Sequence, residues 1–306
     1  MKKCYVWNEA FRLSEELAPH SWICVEEPDE ADLGWLAEEL GVPQNFIDSA
    51  SDPDERPHID SEEGWLLTIL RIPISSRRKE WPYETVPISI ISNGEILLTV
   101  CLRKAEMMAD FISNGRCDLN HDRAECDFIL RIIDHSTGWY LKYLEKLNRE
   151  MIANEKQLER SVRNEDLYSL IGLQRTIVYF STSIQGNESL LDRLQTVYGD
   201  DYDHDFSDDV RIELHQAVVT TNIYAEIMGN TLGNFASIVS NNVNNIMKKM
   251  TSLSMVLMVP TMIASFFGMN VAIPGEDRPM AFVIIILGSF VLSAILYVFL
   301  RKIRWF

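Results

Sequence analysis

Basic charge is scarce in this chain: 28 Lys and Arg stand against 45 Asp and Glu among 306 residues, a formal charge of −17. Before Thr251 the balance is 24 basic to 43 acidic residues, so the first 250 residues form an acidic body. Nucleic-acid phosphates demand Lys/Arg patches, and a nucleic-acid partner is excluded on that ground. Cysteine is sparse and unpatterned. Cys4, Cys24, Cys101, Cys117 and Cys126 are an odd number with no Cys-x-x-Cys pair, which argues against a disulfide framework or zinc knuckle and for a reducing compartment. Met1-Lys2-Lys3-Cys4-Tyr5-Val6-Trp7 has no apolar run before Asn8 and Glu9, so no signal peptide is expected. Six histidines (His20, His58, His121, His135, His204, His215) lack metal-ligand spacing, and there is no Gly-rich phosphate loop or nucleophile elbow. Neither an enzyme nor a resident cofactor is expected.

Charge is missing altogether from two runs near the end: 26 residues between Lys249 and Glu276, and 22 between Arg278 and Arg301. A bilayer core takes about 20 mostly apolar residues per helix. Met280 to Leu300 meets this outright, while the run from Met250 to Phe267 is shorter and carries Thr251, Ser252, Ser254, Pro260, Thr261 and Ser265. Two such runs in succession read as two membrane spans rather than a buried core hairpin. Lys248 and Lys249 precede the first, Arg301, Lys302 and Arg304 follow the second, and the loop between holds only Glu276, Asp277 and Arg278. The positive-inside bias puts both termini in the cytoplasm and the loop outside, with Trp305 suited to the interfacial belt. The expected division is a cytoplasmic α/β domain over 1–120, a long-helix and stalk region over 121–249 and a transmembrane domain over 250–306. Within the last, 250–267 is the first span, 268–279 the external loop, 280–300 the second span and 301–306 a basic tail. Two spans cannot enclose a pathway, so conduction requires several copies.

Alternation and turn residues predict strands over Lys3–Trp7, Ser21–Glu26, Trp65–Ile72, Val86–Ser92 and Ile96–Cys101, with a hairpin turn at Asn93-Gly94. Short helices are expected over Glu30–Leu40, Pro43–Ala50 and Ala105–Ser113. From Asp122 the period becomes helical. It predicts long helices to about Val162, over Asp166–Tyr198, and over Phe206–Phe267. The fold class is therefore an α+β cytoplasmic domain, long stalk helices and two C-terminal transmembrane helices.

The first span carries a polar stripe. Asn244, Met247, Thr251, Ser254, Met258, Thr261 and Ser265 follow one another at alternating steps of three and four and so share one helical face. Small hydroxyl residues pack helix against helix in membranes; the same stripe could line a narrow, weakly polar pore with apolar constrictions at Met247 and Met258. Spacing alone leaves both open.

The span ends in Phe266-Phe267-Gly268-Met269-Asn270. With Pro260-Thr261 upstream, a short loop, a second span, the basic tail and the approach Ser240-Asn241-Asn242-Val243-Asn244-Asn245-Ile246-Met247-Lys248, this resembles the CorA family of divalent-cation transporters. The likeness is densest over residues 205–306. It implies a funnel-shaped homopentamer in the cytoplasmic membrane, with the first span around the pore and the second facing lipid. It assigns Gly268, Met269 and Asn270 to the outer selectivity ring, Thr261 and Asn244 to the pore lining, and Met247, Met250 and Met258 to hydrophobic constrictions. Mg2+ is the implied cargo, with Co2+ or Ni2+ as companions; a zinc-carrying ZntB branch shares the architecture. A membrane-anchored sensor or scaffold that conducts nothing is the alternative from another class. Phe267 stands where the family commonly has Tyr, and the loop Val271-Ala-Ile-Pro-Gly-Glu-Asp-Arg-Pro279 lacks the Met-Pro-Glu pattern of many members. Glu276 and Asp277 remain able to concentrate cations at the mouth.

Asp201, Asp203 and Asp205 mimic a calcium loop, but Phe206 and Ile212 occupy the positions that need Gly and Glu. A solvated acidic turn before a helix is expected instead. Phe206-Ser207-Asp208-Asp209-Val210 resembles the family segment that bears a regulatory divalent site between subunits, which makes Asp209 the candidate Mg2+ sensor. The segment where its partner is sought, Ile74-Ser75-Ser76-Arg77-Arg78, is basic, so an altered or missing sensor is expected.

Overall fold

The computed structural model describes residues 2–7, 11–14, 21–78, 81–114, 124–160, 164–269 and 280–303. They form two compact units, Met1–Thr231 and Leu232–Phe306.

The first unit is built on one seven-stranded sheet. Its strands are β1 (Lys2–Trp7), β2 (Phe11–Ser14), β3 (Ser21–Glu26), β4 (His58–Glu62), β5 (Trp65–Ser75), β6 (Tyr83–Ser92) and β7 (Leu97–Cys101), in the spatial order β2-β1-β3-β7-β6-β5-β4. Every pairing is antiparallel except β3 with β7. That parallel pair needs a crossover, which α1 (Glu30–Glu38), α2 (Gln44–Ser51) and the β4–β6 strands supply. On one face Ile23, Val25, Leu67, Ile69, Leu98 and Val100 pack with Leu36, Phe46 and Ile47 of the two short helices. On the other, α3 (Glu106–Asn114), α4 (Ala124–Arg160) and α5 (Asn164–Tyr198) pack, with contacts to β5 from all three. Burial on both faces explains why β5 and β6 are nearly continuous apolar runs rather than alternating ones. Trp22 is fully buried there, its indole N–H donating to Thr99 Oγ1 at 3.0 Å.

Two short strands escaped the sequence reading. β2 is four residues, and β4 (His-Ile-Asp-Ser-Glu) carries two apolar positions at most. The β4–β5 turn is Glu63-Gly64, both at positive φ (52° and 83°), which is a tight two-residue hairpin without the Asn-Gly signature. The expected turn at Asn93-Gly94 is present: Gly94 has φ 85°, and Asn93 Oδ1 accepts from the N–H groups of Glu95 and Ile96. The remaining strands and helices stand where expected, with boundaries moved by one to three residues. The acidic turn is a single tight helical turn, Gly199–Asp201, after which α6 runs from His204 to Phe267. Asp203 Oδ1 accepts from the N–H of Phe206 at 3.0 Å and caps that helix. The turn is thus a helix start, and among the described residues no cluster of His, Cys, Asp and Glu could hold a metal.

One side chain completes the sheet edge where β4 has ended. Pairing of β4 reaches only Ile69, so Arg71 would leave its edge-facing amide groups unmatched. Asn187 of α5, fully buried, fills the gap: its Oδ1 accepts from Arg71 N–H at 3.0 Å and its Nδ2 donates to Arg71 C=O at 2.8 Å. Tyr140 adds a donor to the same carbonyl at 2.9 Å. The preceding Gly186 is forced by packing, since a Cβ there would lie 2.8 Å from Pro57 Cγ. Asn187→Ala is expected to cost about 2 kcal/mol by orphaning the Arg71 N–H, the carbonyl keeping its bond from Tyr140. A lowered melting temperature of the purified chain, read by tryptophan fluorescence, checks this; an unchanged one would show that water replaces the amide.

Candidate ion pathway on the membrane-spanning helices

In the second unit, α6 continues to Phe267 and α7 covers Ala281–Lys302. Both helices are long and apolar enough to cross a membrane. Along α6 the covered positions are Ser252, Val256, Val259, Pro260 and Ile263, a single face by their spacing. Met247, Thr251, Ser254, Met258, Thr261 and Ser265 are all exposed. At 100° per residue their mean direction is about 200° around the helix from the covered face. The polar stripe therefore points away from the covered side, and Met258 is 65% exposed in the single chain. Met250 sits at the margin of the stripe and is likewise exposed.

On α7 the less exposed residues are Ala281, Ile285, Ser289, Ser293, Leu296 and Leu300, again one face. Its other faces are apolar all round, with Phe282, Ile284, Phe290 and Val298 exposed, as suits a helix in lipid. The buried serines are small residues with satisfied hydroxyls: Ser252 donates to Lys248 C=O, Ser289 to Ile286 C=O and Ser293 to Ser289 C=O. Such residues allow close helix approach without stranding a polar group.

The two threonine hydroxyls of the stripe behave the same way with a different consequence. Thr251 Oγ1 donates to Met247 C=O at 2.8 Å and Thr261 Oγ1 to Leu257 C=O at 3.0 Å. With its proton committed, each oxygen offers outward only lone pairs. Both Thr251 and Thr261 are thus acceptors on the exposed face, the polarity that suits a hydrated cation. The stripe also extends further than the sequence reading took it. The same steps continue back through Ser240, Ser237 and Gly233, all exposed. A shallow open depression there is lined by Ala236, Ser237, Ser240, Asn241 and Asn244. The signal was present in the unbroken three-and-four spacing.

At the end of α6 the Gly268 N–H bonds Ala264 C=O at 2.9 Å, closing the helix, and Met269 is exposed. A Cβ on Gly268 would stand 3.3 Å from that carbonyl. Asn270, Glu276 and Asp277 lie outside the described residues, as do Arg304 and Trp305.

Asp209 is exposed on the first turns of α6, one helical step from Glu213 and near Asp134 of α4. Burial, with the charges of Glu213 and Asp209 beside it, pushes the Asp134 carboxyl up to about 6 against the pull of Arg131. Burial pushes the thiols of Cys24, Cys101 and Cys126 up to about 12, which disfavours the thiolate a metal would need.

The family model described as "CorA-like Mg2+ transporter protein" matches residues 18–302. The chain is 23% identical over 291 residues to the cobalt/magnesium transport protein CorA of Methanocaldococcus jannaschii, covering 93% of this chain and 90% of that one. It is 22% identical over 289 residues to the protein of the same name from Thermotoga maritima, covering 88% and 78%. Its fold is similar to the complete structure of the CorA magnesium transporter from M. jannaschii, with a TM-score of 0.81 and 21% identity over 100% of this chain and 99% of the other.

Cysteines placed at Thr251, Ser254 and Thr261 are expected to react with a polar, membrane-impermeant thiol reagent, and cysteines at Val256 and Ile263 to stay unmodified. Equal reactivity of the two sets would remove the distinction between the faces. Asp134 supplies a second check. Because the unfolded chain loses this proton at a lower pH than the folded one, the penalty is absent below about 3.8, accumulates between there and about 6, and is complete above. Asp134→Asn should raise the melting temperature at pH 7.5 and raise it clearly less at pH 4.5, inside the window where the penalty is still building; melting curves at the two pH values decide.

Proposed function

Because the chain belongs to the CorA-like Mg2+ transporter family, we propose that it passes Mg2+ inward across the cytoplasmic membrane, with Co2+ and Ni2+ as further cargoes. It is a CorA-like divalent-cation transporter and not an enzyme. In this reading five copies share one axis, both termini are cytoplasmic, the acceptor stripe of α6 lines the pathway and α7 faces lipid. The observation that carries it is the exposed face of α6, where polar side chains turn away from the covered side and the hydroxyl protons of Thr251 and Thr261 are already bonded to the helix.

Mg2+ dehydrates reluctantly, so the ring formed by Gly268, Met269 and Asn270 selects the hydrated ion. Five Asn270 carbonyls and nearby main-chain carbonyls accept hydrogen bonds from its waters. Carboxylates in their place would hold the ion longer, and conduction needs weak binding. Glu276 and Asp277 attract cations to the mouth. Below the ring, the oxygens of Thr261, Ser265, Ser254 and Thr251 take over those water contacts down to Asn244, while Met258, Met250 and Met247 form apolar constrictions that gate by dewetting. No nucleotide motif is present, so the driving force is the electrochemical gradient, about 4.6 kcal/mol per 100 mV for a divalent ion. Asp209 takes no part in conduction.

Proteoliposome flux tests this reading. Mg2+ uptake is expected in the unaltered chain and at least a ten-fold loss in Asn270→Ala. Zn2+ uptake without Mg2+ uptake would assign the chain to zinc transport. Absence of both from a folded oligomer would favour a membrane-anchored sensor or scaffold.

A further inference from the structure

The tip of the β5–β6 hairpin carries a surface unlike the rest of the acidic first unit. Trp81 is held between two guanidinium groups, with Arg78 Cζ 4.9 Å and Arg175 Cζ 4.4 Å from its ring centre. Arg175, on α5, also donates from Nε and Nη2 to Tyr179 Oη at 3.0 and 2.8 Å. Arg77 lies beside them, and its one ion pair, to Glu27 at 3.1 Å, is largely solvated and so worth little. On the α5 face that bears Arg175, Tyr168, Ile171 and Val178 are exposed. Arginine, tryptophan and tyrosine over an apolar margin is the composition of interface hot spots.

The complementary surface is on the same chain. Asp205, Asp209 and Glu213 follow one another at four-residue steps along the start of α6, all exposed, with Asp208 beside them. None of the four enters an ion pair among the described residues. The row crowds Asp134 as well. Among the described residues it is part of no cluster that could hold a metal, and with Arg131 and Arg211 the cations beside it it stays acidic on balance and open to a basic surface. Two different, mutually complementary surfaces on one chain are what a head-to-tail ring requires.

We propose that the hairpin tip of one copy, through Arg77, Arg78 and Arg175 around Trp81, docks on the acidic row Asp205–Asp209–Glu213 of α6 in a second copy. Guanidinium groups, rather than a divalent ion, neutralise that row, so the contact forms without metal. The inference rests on the reading that several copies share one pathway, and it makes the sensor segment a permanent ion-pair clasp.

The first step of the test keeps every charge in place. In full-length protein in nanodiscs, with Cys4 and Cys117 replaced by serine, Ser76→Cys and Ile212→Cys are combined and treated with a short bifunctional thiol reagent. Covalent oligomers are expected from the pair, none from either single variant, and the same yield in EDTA as in Mg2+. Adding Arg77→Glu and Arg78→Glu should abolish the product, and adding Asp209→Arg and Glu213→Arg to those should restore it, since like charges across an interface repel. No product from the initial pair, a product that requires Mg2+, or a product indifferent to charge reversal overturns the proposal. A tip that binds anionic lipid instead also gives no product. Mg2+ flux from the same particles, reconstituted, separates the two readings: flux without cross-linking overturns the clasp alone, and cross-linking without flux overturns transport alone.

Discussion

A helix that leaves water for lipid must satisfy its backbone within itself, because nothing in the hydrocarbon core can do so. α6 bears that constraint over its outer third while its first third packs in a water-soluble unit. Val210, Leu214, Ala217 and Thr221 are buried there at steps of four, three and four, the seam of an ordinary amphipathic helix. Further on, the covered seam is Ser252, Val256, Val259 and Ile263. One continuous helix thus presents a packing side and an open side in both settings. Only the open side changes character, from charged to hydroxylated, as the chain approaches its apolar segment. Pro260 is the one interruption, since it has no N–H for the Val256 carbonyl.

The sheet unit exists to fix where that helix begins. Tyr202 and Ser207 are hydrogen-bonded across the cap, and Arg211 is paired with Asp192 of α5, so the α6 start is tied to its neighbour. The helix α5 is in turn tied to the sheet by Asn187 on Arg71 and by Ser183 on Thr85. These are buried polar contacts of high sequence separation, and each fixes one register where apolar contacts alone would permit sliding. A chain of contacts thus links the sheet edge to α5 and α5 to the first turns of α6.

Those ties are also where sequence reading failed. The spans, the stripe, the Asn93-Gly94 turn and the three long helices were legible, because each is written in periodicity or in missing charge. β4 was not, because its pairing is set by β5 and by a Glu63-Gly64 turn whose left-handed glutamate no propensity favours. Asn187 was not, because an asparagine inside a helical pattern reads as a neutral surface residue until its partner 116 positions away is known. The stripe was legible as geometry but not as chemistry. Spacing showed that Thr251 and Thr261 share a face; only the coordinates showed where their protons go.

That last point decides what the face can do. A hydroxyl with a free proton can donate to an anion or accept from a hydrated cation, so a stripe of free hydroxyls would discriminate little. Donation to Met247 C=O and Leu257 C=O removes the first option. What remains at Thr251 and Thr261 is a neutral acceptor: it favours the outward-pointing water protons of a cation's shell over the inverted waters around an anion. It does so without the trapping that fixed negative charge brings. Selection by sign in the proposed pathway then costs no carboxylate in the membrane, where ionised groups are expensive. Fixed negative charge stays in the acidic body and, along the sequence, at Glu276 and Asp277 between the two apolar runs.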